Sequence, residues 1–196
     1  MSKGETTRQA ILDRAAELAS RLGLEGLTIG TLASDLGLSK SGLFAHFRSK
    51  EALQVQVLEH IGGRFVELVV KPAVRAPRGE PRVRALSERV IAWPKEHGFS
   101  GGCPLLAAVS ELDDRPGPAR ELLVKQQRDW LDTIATVVRT ALAEKHFHAR
   151  VDPEQFAYEF YGIEGAYQMW LGLLADPSAE KRARTAFEAL IERSRA

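Results

Sequence analysis

The fold is decided by residues 28–53, which read TIGTLASDLGLSKSGLFAHFRSKEAL. Apolar side chains recur there every three or four positions, as on the buried face of an α-helix. This spacing predicts one short helix over 28–36 and a second over 40–47. Gly37 suits the left-handed backbone that ends a helix, and Ser39 suits the position that caps the next one. Two short helices joined by a tight turn predict a helix-turn-helix.

The second short helix is the one that would meet DNA. In a helix-turn-helix the first helix crosses the sugar–phosphate backbone, and the second enters the major groove. Leu43 and Phe47 lie four residues apart and are expected to pack inward together. The positions left to face outward are Lys40, Ser41 and Ala45, with Gly42 beside them. The pattern therefore predicts a DNA-binding module near the N-terminus.

The same stretch resembles the DNA-binding region of the tetracycline-repressor (TetR) family of bacterial regulators. Hydrophobic spacing, both turns and the ending Phe-x-Ser-Lys-Glu-x-Leu agree at once over about residues 6–60. The resemblance is carried by LTI at 27–29, LASDLGLSK at 32–40, SGLFAHF at 41–47 and SKEAL at 49–53. It implies an all-α fold, with an N-terminal three-helix DNA-binding domain and a larger helical domain for effector binding and dimerisation.

The resemblance also implies DNA contacts, position by position. Phosphate contacts are implied for Thr28, Phe44, His46 and Lys50. Base-edge contacts are implied for Gly30, Lys40, Ser41, Gly42 and Ala45, and Ser39 joins the DNA-binding set as the expected cap. Phe44 replaces the family's usual tyrosine and Gly42 its common threonine, so two hydroxyl groups are missing. Base reading is then expected from Lys40, Ser41 and the Ala45 methyl group. For Phe44, a phosphate-facing and a partly buried position both stay open.

The rest of the chain predicts further helices and no strand. The first helix is expected from Thr6 to Gly23, with Ile11, Ala15, Leu18 and Leu22 on its buried face. Later helices are expected at about 49–70, 82–97, 104–112, 118–145, 153–175 and 178–194. Pro72 and the run APRGEP at 76–81 predict a break. We expect a DNA-binding domain over 1–50, a connecting helix from about 50 to 71, and an effector-binding and dimerisation domain over 51–196.

Composition restricts the class of protein. The chain of 196 residues has a formal net charge of +1, yet residues 1–50 hold 7 basic and 5 acidic residues, and residues 111–196 hold 12 and 15. An anionic partner such as double-stranded DNA would therefore meet the N-terminal part. No apolar run reaches the ~20 residues of a membrane span, and no signal peptide is recognisable. A cytoplasmic protein without a membrane partner, cofactor, metal site or catalytic residue is expected.

A homodimer is expected because two recognition helices must reach successive major grooves of a palindromic operator, about 34–36 Å apart. In the family the last two long helices form the interface, which here means 153–175 and 178–194. The helix over 153–175 is apolar on most of its circumference, which is typical of a helix with more than one packing partner. Its main stripe comprises Phe156, Phe160, Ile163, Tyr167, Trp170 and Leu174.

A cavity for a small-molecule effector is implied by the resemblance, because the family senses ligands in its larger domain. The candidates are Trp93, Phe99, Cys103, Trp130, Phe160, Glu164 and Tyr167. Aromatic walls with a few polar groups suit a small molecule, although each aromatic suits a helical core equally well. Glu164 is the most informative, since it lies in an apolar stretch. If buried, it needs an arginine or a ligand donor as partner.

Cys103, the single cysteine, has two interpretations. At a helix N-terminus its thiol pKa would be lowered, which suits a redox sensor or, with His97 as base, a nucleophile. Free cysteine is more commonly a small buried hydrophobe, and that interpretation is preferred. Three other polar residues that lie close together in the sequence, His146, His148 and Asp152, are interpreted as solvated rather than as metal ligands.

These features predict a homodimeric transcriptional regulator, a repressor that an unidentified small molecule releases from its operator. Two alternatives are carried beside it. One is a helical thiol-dependent enzyme or redox sensor that uses Cys103. The other is an architectural DNA binder without a ligand, which would show only salt-sensitive binding without sequence preference.

Overall fold

The computed structural model describes the backbone of residues 3–196 and the side chains from Arg8 onward. Its α-helices are α1 (Lys3–Gly26), α2 (Ile29–Leu36), α3 (Lys40–Phe47), α4 (Lys50–Phe65), α5 (Lys71–Val74), α6 (Glu80–Glu96), α7 (Pro104–Leu112), α8 (Pro118–Ala143), α9 (Pro153–Leu171) and α10 (Ala179–Glu192). A π-helical turn, Val66–Val70, joins α4 to α5. Within residues 3–196 there is no strand, and the predicted all-α fold is confirmed. None of these helices is both long and apolar enough to cross a membrane.

The helix-turn-helix forms through the caps that the sequence predicted. Thr28 Oγ1 accepts from the Thr31 N–H at 3.0 Å, and the Thr31 hydroxyl accepts from the Thr28 N–H at 2.9 Å. This reciprocal capping box starts α2. Gly37 ends it in the left-handed region, at φ 63°. Ser39 Oγ then accepts from the Gly42 N–H at 3.1 Å and starts α3. Local chemistry therefore fixes both ends of the turn.

Helix α1 differs from the prediction at both ends. It begins at Lys3, and its backbone breaks at Gly23 (φ 74°, ψ 169°) before a last turn to Gly26. Three of the four residues predicted to be buried are so, namely Ile11, Ala15 and Leu18. The prediction for Leu22 was wrong: Leu22 is 48% exposed, and Leu24 is buried instead. The break at Gly23 rotates the chain, so the helical period no longer applies beyond it.

The predicted break at Pro72 was also wrong in its position. Across the π turn, the Lys71 N–H donates to the Val66 carbonyl, five residues back. Pro72 then lies in the first turn of α5, and the helical path ends after Val74. A π turn changes the hydrogen-bond register, so the missing N–H of a proline just after it interrupts the ladder without ending the helix.

The chain divides into two compact units, each made of two stretches. Unit 1 comprises Met1–Gly63 and His97–Lys125, and unit 2 comprises Arg64–Glu96 and Gln126–Ala196. The sequence predicted a single boundary near residue 50. The functional domains expected over 1–50 and 51–196 stay a prediction.

Unit 1 includes α7 because α7 packs on α1. The Gly101 backbone before α7 lies so close to α1 that a Cβ there would sit 1.7 Å from the Ser20 carbonyl oxygen. Further along, a Glu111 carboxylate oxygen accepts from the Glu25 N–H at 2.8 Å. Leu105 and Ala108 are buried. A glycine is required at the closest point of this contact, since any side chain would collide with backbone.

Unit 2 is a helical bundle in which α10 packs on α9 and α6. The rings of Phe160 and Phe187 lie 4.5 Å apart between α9 and α10. Arg84 on α6 binds Glu188 on α10 through two hydrogen bonds of 2.6 and 2.8 Å. These ion pairs are partly exposed and orient α10 more than they stabilise it.

Candidate functional site

Helix α3 is held by two buried side chains and exposes all its other residues. Leu43 and Phe47 are 1% and 0% exposed. The exposed positions of α3 are Lys40, Ser41, Gly42, Phe44, Ala45 and His46. Phe44 is 56% exposed, so the partly buried interpretation of it does not hold. The accessibility of these six residues is what a recognition helix requires, and their individual DNA contacts stay predictions.

Gly30 and Lys40 lie next to each other across the turn. A Cβ on Gly30 would be 3.5 Å from Lys40 Cε and 3.8 Å from its Nζ. The lysine stem therefore passes over the α2 backbone where Gly30 has no side chain. Ser41 Oγ donates to Ser39 Oγ at 3.3 Å beside it. This arrangement places the Lys40 ammonium group at the start of α3, where base edges would be met.

Lys50, predicted to contact phosphate, already has a carboxylate partner. Its Nζ lies 3.0 Å from Glu25 Oε2, and Arg115 Nη1 lies 2.8 Å from the same oxygen. These cations, Lys50 first, hold the pKa of the Glu25 carboxyl at about 2. Both lysine and carboxylate are about 40% exposed, so the pair is weak in water. A phosphate would therefore compete with Glu25 for Lys50.

Two residues of this surface were not found from the sequence. Leu38, in the turn, is 48% exposed. Arg48 follows α3 directly, is exposed, and has a left-handed backbone with φ 62°. The sequence signal for Arg48 was its charge immediately after the recognition helix. A third feature stabilises the module: Arg14 donates to both carboxylate oxygens of Asp35, at 2.5 and 2.7 Å, and ties α1 to α2.

Glu164 is the buried acid of unit 2, at 5% exposure. The sequence required a partner for it, either an arginine or a ligand donor. Among the described residues the partner is the indole N–H of Trp130, which donates to Glu164 Oε2 at 2.9 Å. Burial raises the pKa of this carboxyl to about 8, against the opposing effect of the indole hydrogen bond. Glu164 is therefore mostly neutral at pH 7.

Aromatic rings form a cluster around this acid. Phe65 contacts Trp93 and Trp130 edge to face, with centroid distances of 5.3 and 4.9 Å. Trp130 also contacts Phe160, at 6.1 Å. Phe65 was missed at the sequence stage of reasoning about ligands. Its signal was its spacing of four residues from Ile61 on the buried face of α4.

The seven effector candidates do not all lie in one unit. Five belong to unit 2 and are buried, namely Trp93, Trp130, Phe160, Glu164 and Tyr167. Phe99 and Cys103 are buried in unit 1, at 3% and 7% exposure. Tyr167 donates its hydroxyl to the Ile91 carbonyl at 3.2 Å, and burial raises its pKa. The effector site is therefore most coherent around Glu164.

The residues considered as metal ligands have structural partners. His146 Nδ1 accepts from the Glu80 N–H at 3.2 Å. Asp152 caps α9 by accepting from the Glu154 and Gln155 N–H groups, at 2.9 and 3.2 Å. In the described part of the chain, no group of three or more potential ligands could hold a metal ion.

The Glu164 carboxyl predicts a dependence of stability on pH. Folding raises its pKa from 4.5 to about 8, so the folded state is disfavoured as pH rises from 4.5 towards 8. Glu164→Gln cannot ionise. From about 1.4 kcal/mol per pKa unit, less the relief from local water entry, we expect it to gain about 2 kcal/mol in stability over the parent chain between pH 5 and pH 9. Urea unfolding of both proteins at the two pH values measures this. A difference that does not change with pH would contradict the assignment.

One face of α9 is exposed and uncharged over its whole length. It comprises Tyr158, Gly162, Gly165, Ala166, Met169 and, just beyond the helix end, Leu173. Tyr158 is 74% exposed and Leu173 82%. Leu174, predicted on the main stripe, is 52% exposed because α9 ends at Leu171. We refer to these six residues as the α9 face.

A groove of about 600 Å³ runs between α9 and α10, beside the α9 face. Small side chains line much of it, including Gly162 and Ala166 from α9 and Ala186 and Ala189 from α10. Such surfaces allow a second helix to approach closely. A large apolar area with few charges is typical of an interface between subunits.

Comparisons with known proteins agree with this geometry. The family model "Bacterial regulatory proteins, tetR family" matches residues 11–57, and "Tetracyclin repressor-like, C-terminal domain" matches residues 79–187. Tetracycline repressor protein class C of Escherichia coli is 44% identical over 46 residues, which are 24% of this chain and 21% of that repressor. The chain thus spans about a fifth of this curated relative.

Solved structures match over the whole chain. A TetR transcriptional regulator from Chloroflexus aurantiacus J-10-FL superimposes with a TM-score of 0.88 at 25% identity, covering 100% of this chain and 98% of that one. AibR, solved in complex with isovaleryl coenzyme A and operator DNA, gives a TM-score of 0.75 at 22% identity, covering 93% and 96%.

Proposed function

The chain belongs to the TetR family of bacterial transcriptional regulators, and from that membership we propose that it is a homodimeric repressor which a small molecule releases from a palindromic operator. The observation that supports this most is α3, which buries only Leu43 and Phe47 and exposes every other side chain. A helix with so narrow a buried face is free to enter a major groove. The protein would act on DNA in the cytoplasm and needs no membrane, metal or cofactor.

The homodimer is supported by the α9 face and the adjoining groove. In a two-fold dimer the same surface on each protomer meets its copy. An uncharged face is compatible with its own copy because no like charges are brought together. We propose that α9 and α10 of two protomers pack together there. The dimer then carries two recognition helices.

Release by an effector follows from a difference in affinity. A ligand bound in unit 2 would favour a dimer in which the two recognition helices are wrongly spaced for the operator. The coupling must be reciprocal, so operator DNA must weaken ligand binding by the same factor. Independent binding of the two at saturation would contradict this mechanism.

The alternatives have less support. A thiol-dependent reaction needs an accessible nucleophile, and Cys103 is only 7% exposed. The family and the fold are those of regulators. An architectural DNA binder would have no use for a buried acid in an aromatic cluster. We therefore retain the ligand-responsive regulator.

The two lysines at the DNA surface predict different mutant behaviour. Lys40→Ala removes a proposed base contact and should weaken operator binding by about 1–3 kcal/mol more than binding to random DNA. Lys50→Ala removes a proposed phosphate contact, should weaken both about equally, and should flatten the salt dependence. Because Glu25 already neutralises Lys50, its loss should be the smaller. Fluorescence anisotropy on both DNAs at three salt concentrations measures this.

Equal behaviour of the two lysine variants would show that the roles are wrongly assigned. Lys71→Ala is the control, because Lys71 lies in unit 2 and pairs with Glu67 on its own helical segment. It should leave both affinities unchanged.

A further inference from the structure

Glu164 has an unusual environment for an acid. It is 5% exposed, and its partner in the structure is a neutral donor, the Trp130 indole. No lysine, arginine or histidine of the described residues forms an ion pair with it. A buried carboxyl without a counter-ion costs free energy, and a fold that needed only packing would place an apolar residue here.

The side chains near Glu164 are ones that stabilise positive charge. Trp130 binds the carboxyl directly, and its ring contacts Phe65 at 4.9 Å. Phe65 in turn contacts Trp93 at 5.3 Å. Tryptophan is the best aromatic partner for a cation, and desolvated cation–π contacts are the strong ones. A single carboxylate with two indoles and a phenyl ring is therefore a set suited to one organic cation.

We propose that the effector is a small organic cation, an amine or quaternary ammonium ion, bound by the Glu164 carboxylate and the rings of Trp93 and Trp130. The inference rests on the proposed function and adds the chemical class of its effector. Phe65 is the half-buried member of the cluster and directly precedes the π turn, so the site opens on its side. An anion would be excluded by the carboxylate.

Binding a cation requires Glu164 to lose its proton. The carboxyl is mostly neutral at pH 7 without ligand, since burial raises its pKa to about 8. The arriving positive charge favours the carboxylate, so close to one proton passes from Glu164 to the buffer for each cation bound at pH 7.

The other titratable groups of the surrounding helices act elsewhere. Tyr167 is the next buried titratable residue of α9, and the charges that act on it are Lys95 from α6 and Glu180 and Arg184 from α10. Lys95 and Glu180 pair with each other at 2.7 Å. None of them shifts the pKa of Glu164, for which burial and the Trp130 hydrogen bond are the causes. Proton release on cation binding is therefore expected from Glu164.

The test is calorimetric titration of the full-length protein with hexyltrimethylammonium, whose charge is fixed at every pH. Hexan-1-ol and hexanoate serve as the neutral and anionic counterparts. Two buffers of different ionisation enthalpy at pH 7 give the number of protons released. Glu164→Gln keeps an oxygen for the Trp130 N–H and nearly the same shape. Glu154→Gln, on the exposed first turn of α9, is the matched control.

We expect the parent chain and Glu154→Gln to bind the cation at least about tenfold more tightly than either counterpart. They should also release close to one proton per cation. Glu164→Gln should lose about tenfold or more in cation affinity and release none, while its affinity for hexan-1-ol changes less than about twofold. Absence of cation binding, equal binding of the three compounds, or an unaffected Glu164→Gln variant would overturn the proposal. Specific DNA binding measured on the same preparations tests the regulator itself, so the two failures are distinguishable.

Discussion

Replacement of Phe47 by alanine should remove most of the stability of the DNA-binding module. Phe47 is fully buried at the end of α3, and with Leu43 it forms the whole attachment of that helix. Truncating a buried phenylalanine costs about 3–5 kcal/mol, because it removes apolar contacts and leaves a cavity. Helix α3 has eight residues and cannot persist in water alone. Specific DNA binding should be lost with it. Chemical unfolding followed by circular dichroism measures the change.

Phe44→Ala is the matched control for this prediction. It removes the same side chain from the same helix, three residues earlier, at a position that is 56% exposed. Its effect on stability should be below about 0.5 kcal/mol. A loss of stability similar to that of Phe47→Ala would mean that α3 is packed in another orientation.

Ala166→Glu should dissociate the proposed dimer. Ala166 lies on the uncharged α9 face and lines the groove beside α10. In a two-fold dimer the substitution buries two carboxylates, one from each protomer, without a cation for either. An unpaired buried charge costs several kcal/mol, so the protein should be monomeric at micromolar concentration. Operator affinity should fall at least about a hundredfold, since only one half-site is held at a time. Analytical ultracentrifugation and DNA titration measure the two effects.

Thr136→Glu provides the comparison for the dimer prediction. It adds the same charge to an exposed position of α8, beside Arg139. This variant should stay dimeric and bind operator normally. A dimeric Ala166→Glu protein would show that the subunits meet through another surface.

The parts of the fold that depend on local chemistry could be predicted from the sequence. Both ends of α2 and the start of α3 lie where Thr28, Gly37 and Ser39 place them, because caps act over three or four residues. The inward pair Leu43 and Phe47 follows from helical spacing alone. Near such signals the sequence determines both structure and exposure.

The parts that depend on distant contacts could not be predicted. Nothing in the local sequence indicates that α7 packs on α1, a contact that requires Gly101 against Ser20. The partner of Glu164 was expected to be an arginine or a ligand, whereas a tryptophan from another helix donates to it. The π turn before Pro72 hid the true helix end. Periodicity reports which face is buried, and it does not report what covers that face.

Selection of bound sequences from random DNA by the purified protein, at a stated salt concentration, tests the central claim most directly. The account predicts enrichment of a palindrome whose half-sites are about one helical turn, or a multiple of it, apart. It also predicts that this enrichment is lost in Lys40→Ala. Recovery of no enriched sequence, with binding that depends on salt alone, would contradict the account and would favour the architectural DNA binder.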